Sequence, residues 1–151
     1  MINLITNEKL FLDDGNFFCN NIEIKNLTDE LEKISKINLI GRKTNIKKFH
    51  KINSKKIISH NNIFTFLLSV FRQSKLDKTL FLIISITPYT FFSVLLLKLL
   101  KKKFLIYLRS DGFEEYKKIL GFFGTFLYKF MFLISTNNSK LISSGKEALK
   151  N

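Results

Sequence analysis

The sequence predicts an α/β fold, a parallel sheet with helices packed on its faces. Three observations carry that reading. The longest uncharged run, 19 residues from Thr79 to Leu97, meets Pro88 at its tenth position, and proline removes a backbone donor and clashes with the preceding turn. The hydroxyl side chains of Ser85, Thr87 and Thr90 cluster around that proline, as they would in a loop. A second apolar run, Phe104 to Leu108, has five residues. That is too short to cross a bilayer as a helix, yet typical of a central parallel strand buried on both faces.

In chain order, residues 1–24 read as extended segments around a turn. Asn3–Thr6 and Leu10–Leu12 are apolar, Phe17-Phe18-Cys19 resumes the run, and Asp13-Asp14-Gly15-Asn16 between them makes the turn, because Gly and Asn tolerate positive φ. Asp13 and Asp14 have no third carboxylate or nearby His, so they read as turn residues rather than metal ligands. Asn26–Lys36 is predicted as a helix. Leu27, Leu31 and Ile34 share a face at i, i+4, i+7, and Thr28, Asp29 and Glu30 place acids in its first turn. The strand Ile37–Ile40 follows and ends at Gly41-Arg42-Lys43.

Lys43 to Lys56 carries six lysines and His50 with no acid. It reads either as a solvated loop or sheet edge, or as a patch for anionic lipid headgroups. Ile63–Phe71 is apolar all round and predicts a buried helix continuing toward Lys75. After the polar break Lys75–Lys78, the 79–112 stretch divides into a strand Leu80–Ser85, a loop, a helix Tyr89–Leu100 and the strand Phe104–Leu108. Pro88 suits the first helical turn with Thr87 as N-cap, and the four lysines of Lys98–Lys103 suit the helix C-terminus. Two readings compete: a non-catalytic membrane protein with one span at Thr79–Leu97, for which length and hydropathy alone suffice, and an unrelated Rossmann-like ligand-binding domain. The proline, the hydroxyl cluster and the short second strand favour the sheet.

Asp111 with Glu114 three residues on is a capping-box pattern for a helix from Phe113 to about Leu133. Glu114 pairs with Lys118 at i+4 in that helix, and its second half is rich in Phe. Some of that aromatic stripe is expected in the core and the rest against lipid or a second domain. Lys140–Ser143 is a final strand, and Ser144-Gly145-Lys146-Glu147 repeats the capping box. The sequence stops at Asn151, one turn into the helix thus announced, so a fragment or one piece of a split protein is expected.

Composition narrows the function. The formal charge is +13, from 22 Lys, 3 Arg and 12 acids. Nucleic acid is not the expected partner, because phosphate and guanine recognition favours Arg. An anionic membrane surface or a phosphorylated ligand fits better, with codon bias as the other reading of the excess, since Lys, Asn, Ile and Phe all have A/T-rich codons. The single Cys19 excludes an internal disulfide and suits a reducing compartment. The N-terminus lacks the charged and apolar regions of a secretory signal, so the expected location is cytoplasmic, peripheral at the inner face of the cell membrane. His50 and His60 have no Cys or carboxylate at ligand spacing. No metal and no cofactor are expected, and no glycine fingerprint for a dinucleotide follows any strand.

The order of these elements resembles the N-terminal domain of a GT-B glycosyltransferase, family 4-like, over nearly the whole chain. The matching features are the turn at Asp13-Asp14-Gly15, the strand end Asn38-Leu39-Ile40-Gly41-Arg42, the strand-loop Ile83-Ile84-Ser85-Ile86-Thr87-Pro88, the loop Arg109-Ser110-Asp111-Gly112 and the strand Lys140-Leu141-Ile142-Ser143-Ser144. The resemblance implies a single Rossmann-like, acceptor-side domain over residues 1–151. A nucleotide-sugar donor would be bound by a C-terminal domain this sequence does not contain, and the acceptor would be a glycan or a lipid-linked sugar. Gly15 and Asn16 would approach donor phosphate or acceptor. Thr87, Tyr89, Arg109 and Ser110 would line the cleft, Arg109 holding a phosphate or acidic sugar. Asp111 would accept from an acceptor hydroxyl as the catalytic residue.

Overall fold

The computed structural model describes residues 1–143; the capping box expected at Ser144–Glu147 and the helix after it lie outside them. The elements are β1 (Ile2–Asp13), β2 (Asn16–Cys19), α1 (Ile22–Ile34), β3 (Ile37–Thr44), β4 (His50–Ile52), β5 (Lys56–His60), α2 (Ile63–Ser74), β6 (Leu80–Ile84), α3 (Pro88–Leu99), β7 (Phe104–Leu108), α4 (Gly112–Thr136) and β8 (Lys140–Ser143). Six strands pair in parallel in the order β5-β3-β1-β6-β7-β8. Counted along the parallel strands alone this is 3-2-1-4-5-6, the Rossmann-like, doubly wound α/β arrangement. β2 and β4 add antiparallel pairings beside β1.

The β1–β2 hairpin closes on Asp14 (φ 44°) and Gly15 (φ 77°), two positive φ values in succession as a tight hairpin turn requires. Farther back, β1 slips register against β3 between Ile5 and Lys9, so Thr6, Asn7 and Glu8 bulge where β3 has Gly41 alone. A Cβ on Gly41 would fall 2.7 Å from Leu10 and 3.2 Å from the Glu8 carbonyl, so the bulge and the glycine require each other.

Several expectations need correction. α1 begins at Ile22 rather than Asn26, because the Asn21 side chain accepts the Ile24 N–H at 3.1 Å. Thr28 is then a buried mid-helix residue bonded back to Ile24 O at 2.7 Å, and Ile34 is 78% exposed. α2 is not buried all round. Phe66 and Val70 face the sheet, while Phe64 and Leu68 face outward. The lysine-rich 43–56 stretch contains β4 and starts the outer strand β5, which is the sheet-edge form of that reading. The 79–97 run does not form the single helix a bilayer span would need. Residues 80–84 are hydrogen-bonded between β1 and β7, and the helical portion forms a separate element whose polar start binds Thr87 N–H to Thr90 Oγ1 at 2.8 Å. Lys98 does not serve its own helix; its ammonium reaches the carbonyls of Ile134 and Asn137 at 2.5 and 2.6 Å.

The largest departure is α4. Gly121 (φ 64°, ψ −147°) breaks it, and the chain folds back into two antiparallel arms, 112–120 and 122–136. A Cβ on Gly124 would overlap the Tyr116 carbonyl, and one on Gly112 would overlap the Tyr128 ring. In a straight helix those pairs would stand about 12 and 24 Å apart. Phe113 stacks edge-on to Tyr128 with centroids 4.8 Å apart, which closes the base of the hairpin. Glu114 pairs with Lys117 at 3.8 Å, not with Lys118 as the sequence suggested.

Two cores result. One, under α2, α3 and the second arm of α4, includes Ile5, Phe66, Phe81, Ile83, Leu97, Ile106 and Met131. The other, under α1, includes Leu4, Leu10, Cys19, Leu39 and Ile84. Alternate residues of β1 and β6 enter opposite cores, which is why those strands read as continuously apolar.

Candidate functional site

The connections leaving β1 and β6 pass to opposite faces of the sheet, α1 into one core and α3 into the other. Neighbouring strands whose chains diverge in this way leave a crevice at their C-terminal ends. A cleft of about 190 Å³ lies there. Its walls are the β1 bulge (Thr6, Asn7, Glu8), the loop after β6 (Ser85 to Thr87), and Arg109 with Ser110 after β7; Gly112, Glu115 and Tyr128 come from the helical hairpin.

The strand ends position these groups. Ser85 sits at φ 58°, a conformation that costs a non-glycine residue. It is held there by its N–H bond to Tyr107 O at 2.8 Å and by its carbonyl accepting the Thr90 hydroxyl at 2.8 Å. Its own Oγ is buried and has no hydrogen-bond partner among the described residues. Arg109 is steadied by Glu23 in the first turn of α1, Nε to Oε2 3.5 Å. Tyr128 is kept protonated well above the ordinary phenol range by burial, and secondarily by the charges of Asp111 and Glu115. Burial followed by Glu115 moves Tyr116 the same way. These phenols can donate hydrogen bonds but cannot act as bases near neutral pH.

Of the residues picked from sequence, Thr87, Arg109 and Ser110 line this cleft. Tyr89 lies beside it in a second cluster: the Arg42 guanidinium stacks 4.6 Å above its ring and reaches Asn7 Oδ1 at 3.4 Å. His60 pairs with Arg42 across β5 and β3. Burial lowers its pKa, and its Nε2 has no partner among the described residues. Asp111 caps α4, its Oδ1 accepting the N–H groups of Phe113 at 2.9 Å and Glu114 at 3.3 Å. Gly15 and Asn16 form the hairpin tip and are not among the cleft's lining residues; the Asn16 amide bonds to Asp14 O at 3.1 Å.

Sequence reading missed Asn7, Glu8, Ser85, Glu115 and Tyr128, and also Arg42 and His60. Arg42 carried one signal, as one of 3 arginines against 22 lysines placed directly after an apolar strand. No cluster of His, Cys, Asp and Glu suited to a metal occurs among the described residues. Cys19 is buried and its thiol is pushed up to about 11, chiefly by desolvation, which makes it a poor nucleophile.

The cleft is thus small, polar and electrically mixed. Arg109 is paired with Glu23 and shares the cleft with Glu8 and Glu115, a poor setting for a polyphosphate. Hydroxyls and carboxylates dominate, a setting suited to a polyhydroxylated ligand, and the volume lies below that of a cofactor pocket. Comparison with protein-family models, curated proteins and solved structures finds no match to the chain.

Proposed function

We propose that this chain is the acceptor-side half of a GT-B-type glycosyltransferase, which moves a sugar from a nucleotide-sugar donor to a growing glycan or lipid-linked acceptor at the cytoplasmic face of the membrane. The observation that carries the reading is the hydroxyl- and carboxylate-lined cleft at the Rossmann-like switch point, sized for one sugar ring and lacking a phosphate cradle. The donor would be bound by a second Rossmann-like domain or partner chain facing this edge. Ser85, Thr87 and Ser110 would hydrogen-bond acceptor hydroxyls, and Arg109 would hold an acidic group at the rim. Asp111 is engaged in capping its helix, so Glu115, one turn on and in the cleft wall, is the better-placed carboxylate to accept a proton from the attacking hydroxyl. No metal or cofactor enters this scheme, and no nucleic acid.

The test has two arms. Isotope-labelled chain is titrated with monosaccharides and short-chain prenyl-phosphate sugars; resonances of 84–87 and 109–115 should shift, and less so in Arg109→Gln. The chain is then supplied with labelled UDP- and GDP-sugars and candidate acceptors in extract of its own host cells, so that any donor-binding partner is present. Saccharide binding confined to other surfaces, or no transfer with any donor, sinks the proposal.

A further inference from the structure

The helical hairpin projects from the ligand edge of the sheet. Gly112, Glu115 and Tyr128 line the cleft, and Gly112 meets the Tyr128 ring there, so the turn around Gly121 extends beyond it. The outer section of this projection, Lys117-Lys118-Ile119-Leu120-Gly121-Phe122-Phe123, is exposed at every position. Phe122 is 90% exposed, Ile119 75% and Phe123 67%, with Phe126 exposed beside them. Isolated apolar residues on a surface need no explanation, but an adjoining cluster on a convex tip does. These side chains occupy successive positions through a reversal and are exposed on both sides of it, with Phe122 over a groove it shares with Phe113, Phe132 and Leu133. A flat protein face would cover only some of them, whereas fluid hydrocarbon surrounds them all.

Charge selects the same occupant. From Tyr116 to Thr136 there are three lysines and no acid. Lys117 and Lys118 lie one turn behind the tip, where long stems let the ammonium groups stay at headgroup level while the tip goes deeper. Glu114 and Glu115 lie farther back, at the base.

We propose that this hairpin docks on an anionic lipid bilayer. Ile119, Leu120, Phe122 and Phe123 enter the boundary between headgroups and acyl chains, the depth expected of interfacial helices, and Lys117 and Lys118 meet lipid phosphates. The nine-residue first arm then sets the cleft about 13 Å above the inserted tip, and about 8 Å above the phosphates that Lys117 and Lys118 meet. The inference goes beyond sugar transfer and does not depend on it, since vesicle binding can fail while saccharide binding holds, and the reverse.

The chain has no Trp, so single-tryptophan variants report location directly. Phe122→Trp and, in the lysine-rich 43–56 stretch, Phe49→Trp are made in the full chain and mixed with phosphatidylglycerol/phosphatidylcholine vesicles or phosphatidylcholine alone. With anionic vesicles the Phe122→Trp emission should move to the blue and be quenched by lipids brominated near the headgroup, while Phe49→Trp stays water-like. Phe122→Ser/Phe123→Ser should lower partitioning at least about tenfold. Lys117→Gln/Lys118→Gln should remove most of the preference for anionic lipid, on the order of tenfold, with melting curves confirming that both remain folded. Three results overturn the proposal: no shift on vesicles, a shift without lipid that grows with protein concentration (a second copy as occupant), or a shift at Phe49→Trp alone.

Discussion

A Cβ placed on Gly112 would overlap the Tyr128 ring, so the hairpin that walls the cleft closes only around a glycine. Gly124 has the same role nearer the tip, against the Tyr116 carbonyl. On an isolated helix, Gly→Ala stabilises by about 1 kcal/mol. Here the sign should reverse. Gly124→Ala meets backbone and should cost at least about 3 kcal/mol, more than Gly112→Ala, where a ring can move at about 1–3 kcal/mol. At Gly121 nothing lies within 4 Å, so Gly121→Ala is opposed only by its backbone conformation, worth about 1–3 kcal/mol. Urea melts of the three variants check this ranking, and stabilisation by any of them would mean that α4 is a straight helix.

Lys98 ties α3 to the end of α4 through two carbonyls that no helical N–H can satisfy. Removing the ammonium leaves Ile134 O open and Asn137 O with only the Ser139 hydroxyl at 3.4 Å, while keeping the stem's packing, so Lys98→Met should lose about 1–3 kcal/mol. Lys98→Ala adds a loss of packing and should be worse. Thermal melts at neutral pH decide it, and an unchanged melting temperature in Lys98→Met would show that the contact is only a surface one.

Cys19 donates to Asn21 O at 3.3 Å beside the α1 cap. Burial, with the charge of Glu8 second, raises its pKa from 9.0 to about 11. In the folded chain the thiol therefore keeps a proton that the unfolded chain releases. The stability linked to it is complete below pH 9 and lost as pH rises toward 11. Tyr116 and Tyr128, also raised, slope the same way from about pH 10. Cys19→Ala should therefore flatten the stability curve specifically between pH 9 and 11. In the parent chain, iodoacetamide at pH 8 should label Cys19 far more slowly when folded than in urea.

What the sequence disclosed follows from how local each signal was. The β6–α3–β7 unit was legible because Pro88 and the lysines mark its joints within a few residues, and the loops at Thr87 and Arg109–Ser110 came with it. The reversal in α4 was not, because a single glycine in an apolar helical pattern reads as tolerated. Its meaning depends on Gly112 and Gly124 meeting partners eight to sixteen residues away. The bulge that turns Asn7 and Glu8 into the cleft depends on Gly41, and nothing near position 7 announces it. Glu115 and Tyr128 entered the site for the same reason: the hairpin, a long-range event, delivers them.

Ser85 separates a strained site residue from a structural turn. Its left-handed backbone would suit glycine, and its orphaned Oγ serves no partner in the described fold. Ser85→Gly should therefore raise stability by up to about 1 kcal/mol while weakening saccharide binding in the cleft. Ser85→Ala keeps the backbone strain and loses the hydroxyl, so it should weaken binding without raising stability. Melting temperature and saccharide titration on the two variants give four numbers for two claims. If Ser85→Gly is less stable than the parent, the backbone holds no strain at this position. If neither variant changes the titration, the hydroxyl does not belong to the site, and the cleft's ligand is held by Arg109 and the β1 bulge alone.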